Sequence, residues 1–221
     1  MENWLDYFIG LGFFGFYLPK GSGPVPGEDP AVRLDKLRQE AVACKECPLY
    51  KTANNLVFGV GNPLAEIVFV GEAPGEEEDL QGEPFVGRAG QLLTRIIRAM
   101  GLAREDVYIA NILKHRPPNN RNPLPEEVRA CTPWLDRQID ILRPKVIITL
   151  GKFSTEYLSG NPEGITRVRG RWHEWRGIPL MPTFHPAYLL HNPSAKRLVW
   201  DDMKAVLGRL GRPIPTNGAK G

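Results

Sequence analysis

At 221 residues, 42% hydrophobic and 24% charged, the chain can bury the core of one domain with extensions, and disorder is expected only at its ends. The formal net charge of +3 permits nucleic-acid binding without requiring it, because the basic residues are uneven: Arg116 and Arg121 fall near one predicted loop, Lys196 and Arg197 beyond another. Three cysteines and no cleavable signal argue against a disulfide framework and point to a reducing, cytoplasmic setting.

In chain order, residues 4–18 (WLDYFIGLGFFGFYL) are strongly apolar and aromatic, yet too short for a comfortable membrane span and interrupted by Asp6. They read as an appended element that docks on the domain or on a protein partner. Residues 21–30 (GSGPVPGEDP) read as a linker, so that 1–30 forms an extension, 31–211 the domain and 212–221 a flexible tail. Helices are predicted over 32–43, 88–100, 125–142, 153–158 and 195–210, and strands over 66–70, 107–113, 146–150 and 178–182. Pro125 followed by Glu126 and Glu127 suits a helix start, where no N–H is missed and the dipole favours carboxylates. The alternation predicts an α/β fold, a parallel sheet with helices on both faces.

Two loops stand out. GEAPGEEEDLQGEPFVGRAG (71–90) follows the apolar run EIVFV, and TFHPAYLL (183–190) follows IPLMP. Open α/β sheets hold ligands outside the carboxyl ends of their strands, where both loops would fall. GEAPG lacks the spacing of the dinucleotide fingerprint, which argues against a nicotinamide enzyme.

Cys44 and Cys47 form a C-x2-C pair just past a predicted helix, Cys131 lies early in another, and His115 precedes it by sixteen positions. Three thiols and an imidazole make a four-ligand set for structural zinc or an iron–sulfur cluster, with zinc favoured by chemistry alone. The bland alternative is an accidental C-x2-C and a small buried Cys131.

GEAPGEEED with PFVGRAGQLL, then NILKHRPPNNRNP with EEVRACTPWL, then HPAYLL, resembles the family-four uracil-DNA glycosylases, the iron–sulfur branch of their superfamily. The likeness runs from about Cys44 to about Leu207, with the motifs in the expected order. It implies a single three-layer α/β/α domain with a central four-stranded parallel sheet, a structural [4Fe–4S] cluster in preference to zinc, and hydrolytic removal of uracil from DNA. The ligands it implies are Cys44, Cys47, His115 and Cys131, although family members usually carry cysteine where this chain has His115. A related subclass that cross-links itself to uracil-containing DNA also has KH here, with an inserted basic loop and a nucleophilic histidine. This chain has no histidine between His115 and His173, so ordinary turnover is expected.

Breaking the bond from uracil to C1′ develops positive charge on the sugar and negative charge on the base, which calls for a donor to uracil O2 and a carboxylate near the sugar. His185 and Glu72 meet those needs; the resemblance places His185 against the leaving base, as hydrogen-bond donor or general acid, and Glu72 beside the attacking water. Relatives with GQDPY carry an aspartate base where this chain has Ala73, so either Glu72 orients the water or the backbone and DNA phosphates do. An extrahelical base needs an aromatic face and an amide to read it, roles that fall to Phe85 and Asn111. Those relatives also have a tyrosine against the thymine methyl where Gly75 stands, leaving exclusion to Glu78 with the backbone of Ala73–Gly75. DNA contacts are expected from Arg88, Arg116 and Arg121, with Leu189, Leu190 and His191 as a wedge filling the gap left by the base. The competing readings are a metal-stabilised, non-catalytic nucleic-acid-binding module and a glycosylase for another damaged or deaminated base.

Overall fold

A computed structural model of the chain describes residues 28–215. The aromatic segment 4–18, most of the linker and the end of the tail lie outside the described residues. Eight α-helices are described: α1 (Pro30–Val42), α2 (Glu76–Gln81), α3 (Arg88–Ala99), α4 (Pro125–Leu142), α5 (Lys152–Ser159), α6 (Ile165–Val168), α7 (Pro186–His191) and α8 (Lys196–Arg209). The strands are β1 (Val60–Gly61), β2 (Ile67–Gly71), β3 (Tyr108–Asn111), β4 (Val146–Leu150), β5 (His173–Trp175) and β6 (Ile178–Thr183). Pro30 opens α1 and is not part of the linker, because Asp29 caps the helix by accepting from the Ala31 N–H at 2.8 Å.

The sheet has six strands in the order β1-β3-β2-β4-β6-β5. Its four central strands are parallel, as expected, and short antiparallel strands β1 and β5 flank them, so the four-stranded expectation is corrected to six. Both additions are two or three residues long; β1 is half-buried and β5 runs from half-buried His173 through exposed Glu174 to buried Trp175, so neither has the apolar run that marks a buried strand. In β2 the alternation of side chains sends Val68 and Val70 to one core and Ile67 and Phe69 to the other. The first core is closed by Leu34 and Leu37 of α1 with Leu135 and Ile139 of α4, the second by Leu93 and Ile97 of α3 with Met203 and Val206 of α8. These are the three layers. Among the described residues no helix is long and apolar enough to cross a membrane.

Candidate active site

The carboxyl ends of β2, β3, β4 and β6 bring together residues far apart in sequence. Asn111 ends β3 and Gly71, its register partner, ends β2 with Glu72 directly after it. A Cβ on Gly71 would lie 2.3 Å from Asn111 Oδ1 and 2.5 Å from Phe85 Cζ, so Asn111 and Phe85 face each other across the space that glycine leaves. The Phe85 ring in turn lies 5.6 Å from that of His185. Asn111 is buried, and its Oδ1 has no hydrogen-bond partner among the described residues. Buried polar atoms are nearly always paired, so this acceptor-bearing amide is set for a ligand. Gly71→Ala is expected to leave the far-UV circular dichroism unchanged and to weaken binding of a ligand between Asn111 and Phe85 at least about tenfold in a titration, since overpacking costs on the order of 1–3 kcal/mol.

His185 is the N-cap of α7. Its Nδ1 accepts from the Ala187 N–H at 3.1 Å, which leaves the proton of the neutral ring on Nε2. Burial pushes its pKa down to about 4, against the weaker opposing pull of the Glu78 carboxylate, so the ring is a neutral N–H donor near pH 7. The main-chain carbonyl of Glu72 accepts from the Leu113 N–H at 3.0 Å, but its carboxylate has no hydrogen bond or ion pair among the described residues, and burial pushes that carboxyl up to about 7.

Phe85 holds a left-handed backbone, φ +54°, an uncommon state for a bulky residue and one that its surroundings must impose. Glu78 accepts from the Val86 and Gly87 N–H groups at 3.0 and 2.9 Å and from Gly75 N at 3.2 Å. On the other side Arg104 Nη2 donates to the Pro84 carbonyl at 2.6 Å. A Cβ at position 90 would meet the Phe85 carbonyl oxygen at 1.8 Å, so only glycine fits beneath the bend. Both Glu78 oxygens are thus engaged by the backbone, and the residue shapes the loop. Ala73 packs on the first core, and Gly75 caps α2.

HPAYLL is a short helix rather than a loop, and this redirects its side chains. Successive helical residues point about 100° apart, so Leu189 enters the second core, fully buried, while Tyr188 is 45% exposed. The wedge position expected of Leu189 is therefore corrected; Leu190 is half-buried and His191 exposed. The expected arginines also differ. Arg121 clamps the buried Glu127, with Nη1 to Oε2 at 2.9 Å, and Arg116 Nε donates to Asn120 Oδ1 at 2.7 Å. Arg88 is exposed, as are Arg167, Arg171, Lys196 and Arg197, and none of these has an ion pair among the described residues. The Arg167–Arg171 segment is tied to α8, where Arg169 Nη2 donates to the Leu198 carbonyl at 2.7 Å, and to the end of β6, where Gly170 N donates to the Pro182 carbonyl at 3.0 Å.

Cys44, Cys47, His115 and Cys131 line one cavity with Tyr50, Leu56 and Trp134. The donors suit a metal group: burial lowers the pKa of His115, favouring its neutral ligand form, and raises those of Cys47 and Cys131, the latter to about 12. Such thiols ionise only when a cation replaces the proton. Among the described residues no three His, Cys, Asp or Glu side chains converge on a single ion; these four stand around a space. A groove of about 680 Å³, lined by Arg38, Lys45, Asn54 and Asn55, adjoins this cavity, sharing Cys44, Tyr50, Leu56 and His115 with it, and includes none of Glu72, Phe85, Asn111 and His185.

Motif reading passed over Gly71, Arg104 and Lys114. Lys114 carried a signal, a lysine directly behind the largely apolar run VYIANIL, and it proves buried.

The sequence model of the Uracil DNA glycosylase superfamily matches residues 58–204, a span holding Glu72, Phe85, Asn111 and His185. The chain belongs to this superfamily. It is 48% identical over 182 residues to the type-4 uracil-DNA glycosylase of Sulfurisphaera tokodaii, covering 78% of this chain and 83% of that one. With the type-4 enzyme of Thermotoga maritima the identity is 51% over 175 residues, covering 77% and 91%. A type-5 enzyme from Thermus thermophilus is 32% identical over 117 residues, covering 46% and 53%. These identities set the chain in the type-4 branch.

Proposed function

We propose that the protein excises uracil from DNA by hydrolysing its N-glycosidic bond, leaving free uracil and an abasic site. The observation that carries this reading is the buried Asn111 side chain, its Oδ1 unpartnered among the described residues, facing the Phe85 ring that lies 5.6 Å from the neutral His185. In this reading uracil leaves the stack, lies against Phe85 and meets Asn111 with its N3 and O4 edge. The His185 Nε2–H donates to O2 as the electron pair of the breaking bond moves onto the base. Water adds to C1′, and Glu72 takes its proton. Cytosine, with the wrong donor pattern, would leave the amide unpaired at a cost of about 1–3 kcal/mol. The thymine methyl is excluded by the backbone of Ala73–Gly75, held in place through Glu78.

Phosphates are met by Arg88 and by the exposed Arg167, Arg171, Lys196 and Arg197, while Arg121 serves Glu127. Leu190, Tyr188 and His191 form the surface that fills the gap in the stack. Cys44, Cys47, His115 and Cys131 would hold a [4Fe–4S] cluster, supplying a structural tie between the end of α1, the loop after β3, and α4. By donor chemistry three thiols and an imidazole would serve zinc or a cluster, and the likeness to the type-4 enzymes favours the cluster.

The test is release of labelled uracil from an oligonucleotide by the purified full chain. Free uracil with an alkali-labile site supports the proposal, and brown colour with iron supports the cluster. DNA binding without release or covalent adduct would leave a binding module or a glycosylase for another base; a colourless zinc protein would restore zinc.

A further inference from the structure

Lys114 is 1% exposed, and among the described residues no carboxylate pairs with it. Its Nζ donates to two neutral acceptors, the main-chain carbonyl of Asn111 at 2.8 Å and Gln138 Oε1 at 2.6 Å, with the Phe58 ring 5.9 Å away. Gln138 is held in turn, its Nε2 donating to the Phe58 carbonyl at 2.9 Å and to Tyr108 Oη at 3.1 Å. The Lys114 backbone N–H donates to Cys131 Sγ at 3.1 Å, and Lys114 is among the residues that line the cavity of Cys44, Cys47, His115 and Cys131. A buried ammonium without a counter-charge is costly, and neutral acceptors offset only part of that cost. The groups beside it that can carry negative charge are the thiols, which become thiolates when they hold metal.

We propose that Lys114 is a positioning residue that fixes the base-reading Asn111 and balances the charge of the metal-bound thiolates, so that the two sites share one buried cation. This rests on the uracil reading of the Asn111 pocket. The ammonium holds the Asn111 carbonyl, and with it the angle at which the amide enters the pocket. The thiolates, in turn, keep the ammonium buried.

The test compares the full-length wild type with Lys114→Met, Asn111→Ala and the double variant, measuring inhibition by free uracil and the metal retained per protein during dialysis against a chelator. Lys114→Met is expected to weaken uracil inhibition about tenfold, the scale of a mis-set hydrogen bond, and to lose metal faster than wild type. In the Asn111→Ala background the same change is expected to alter inhibition less than about twofold, because the two act as one unit. Equal losses in both backgrounds, or inhibition equal to wild type in a folded Lys114→Met protein, overturn the positioning role; a merely structural lysine would lower Tm alone. Unchanged metal loss overturns the charge balance. If Lys114→Met does not fold, Gln138→Leu withdraws one acceptor and is expected to weaken inhibition in the same direction; no change there overturns the proposal. A wild type that neither releases uracil nor is inhibited by it sinks the uracil reading instead, a separate result.

Discussion

Replacing His185 by alanine is expected to slow uracil release about 10²–10³-fold, the scale of losing one donor aimed at developing negative charge. The size of the loss alone would not separate a donor from a general acid, but its pH dependence does. With Nδ1 occupied by the Ala187 N–H and a pKa of about 4, the ring is neutral over most of the working range. The ratio of wild-type to alanine rates is therefore expected to stay level from roughly pH 5 to 8. A ratio that falls as pH rises through roughly 6–7 would make His185 a general acid and contradict the geometry. Alanine also removes the cap of α7, so His185→Asn is the control, since an asparagine cap restores the local hydrogen bond without the imidazole. It is expected to recover Tm and not rate.

Glu72→Gln is expected to have the second large effect, on both activity and stability. As the acceptor of the water's proton Glu72 must be ionised, so the wild-type rate should climb about tenfold per pH unit below its pKa and level off above it. The bend lies at about 7 because burial holds the carboxyl there, and glutamine should remove it and cut the plateau about 10²–10⁴-fold. Folding runs the other way. The folded pKa is raised above the ordinary 4.5, so the buried carboxyl costs nothing below 4.5, costs more as pH rises to 7, and costs a constant amount beyond. Glu72→Gln should thus stabilise the protein by about 2–3 kcal/mol at pH 8 and much less at pH 5. Equal Tm shifts at the two pH values would mean that the carboxyl is not held against its preference.

Several elements were open to a linear reading because their signals are local. α4 occupies Pro125–Leu142 and β4 Val146–Leu150, as the proline, the two glutamates and the apolar run indicate. The four central strands, and the placing of Glu72 and His185 at strand ends, follow from the same kind of pattern. Family motifs named Phe85 and Asn111, but composition could not distinguish them from a core aromatic and a turn former. Their meeting depends on Gly71, whose missing Cβ has meaning only once β3 lies beside β2.

The sequence by itself thus determined the alternation of strands and helices, the class of site at the strand ends and the residues available to it. Only the tertiary structure decided which side chains face one another. β1 and β5 exist because edges of the sheet offered them partners, not because their residues are apolar. Leu189 turned inward because a helix replaced the expected loop, and Arg121 went to the buried Glu127. Whether a polar group is paired, orphaned or buried depends on neighbours distant in the chain, which explains why the unpaired Asn111 Oδ1 and the hydrogen-bond partners of the buried Lys114 emerge only in the folded protein.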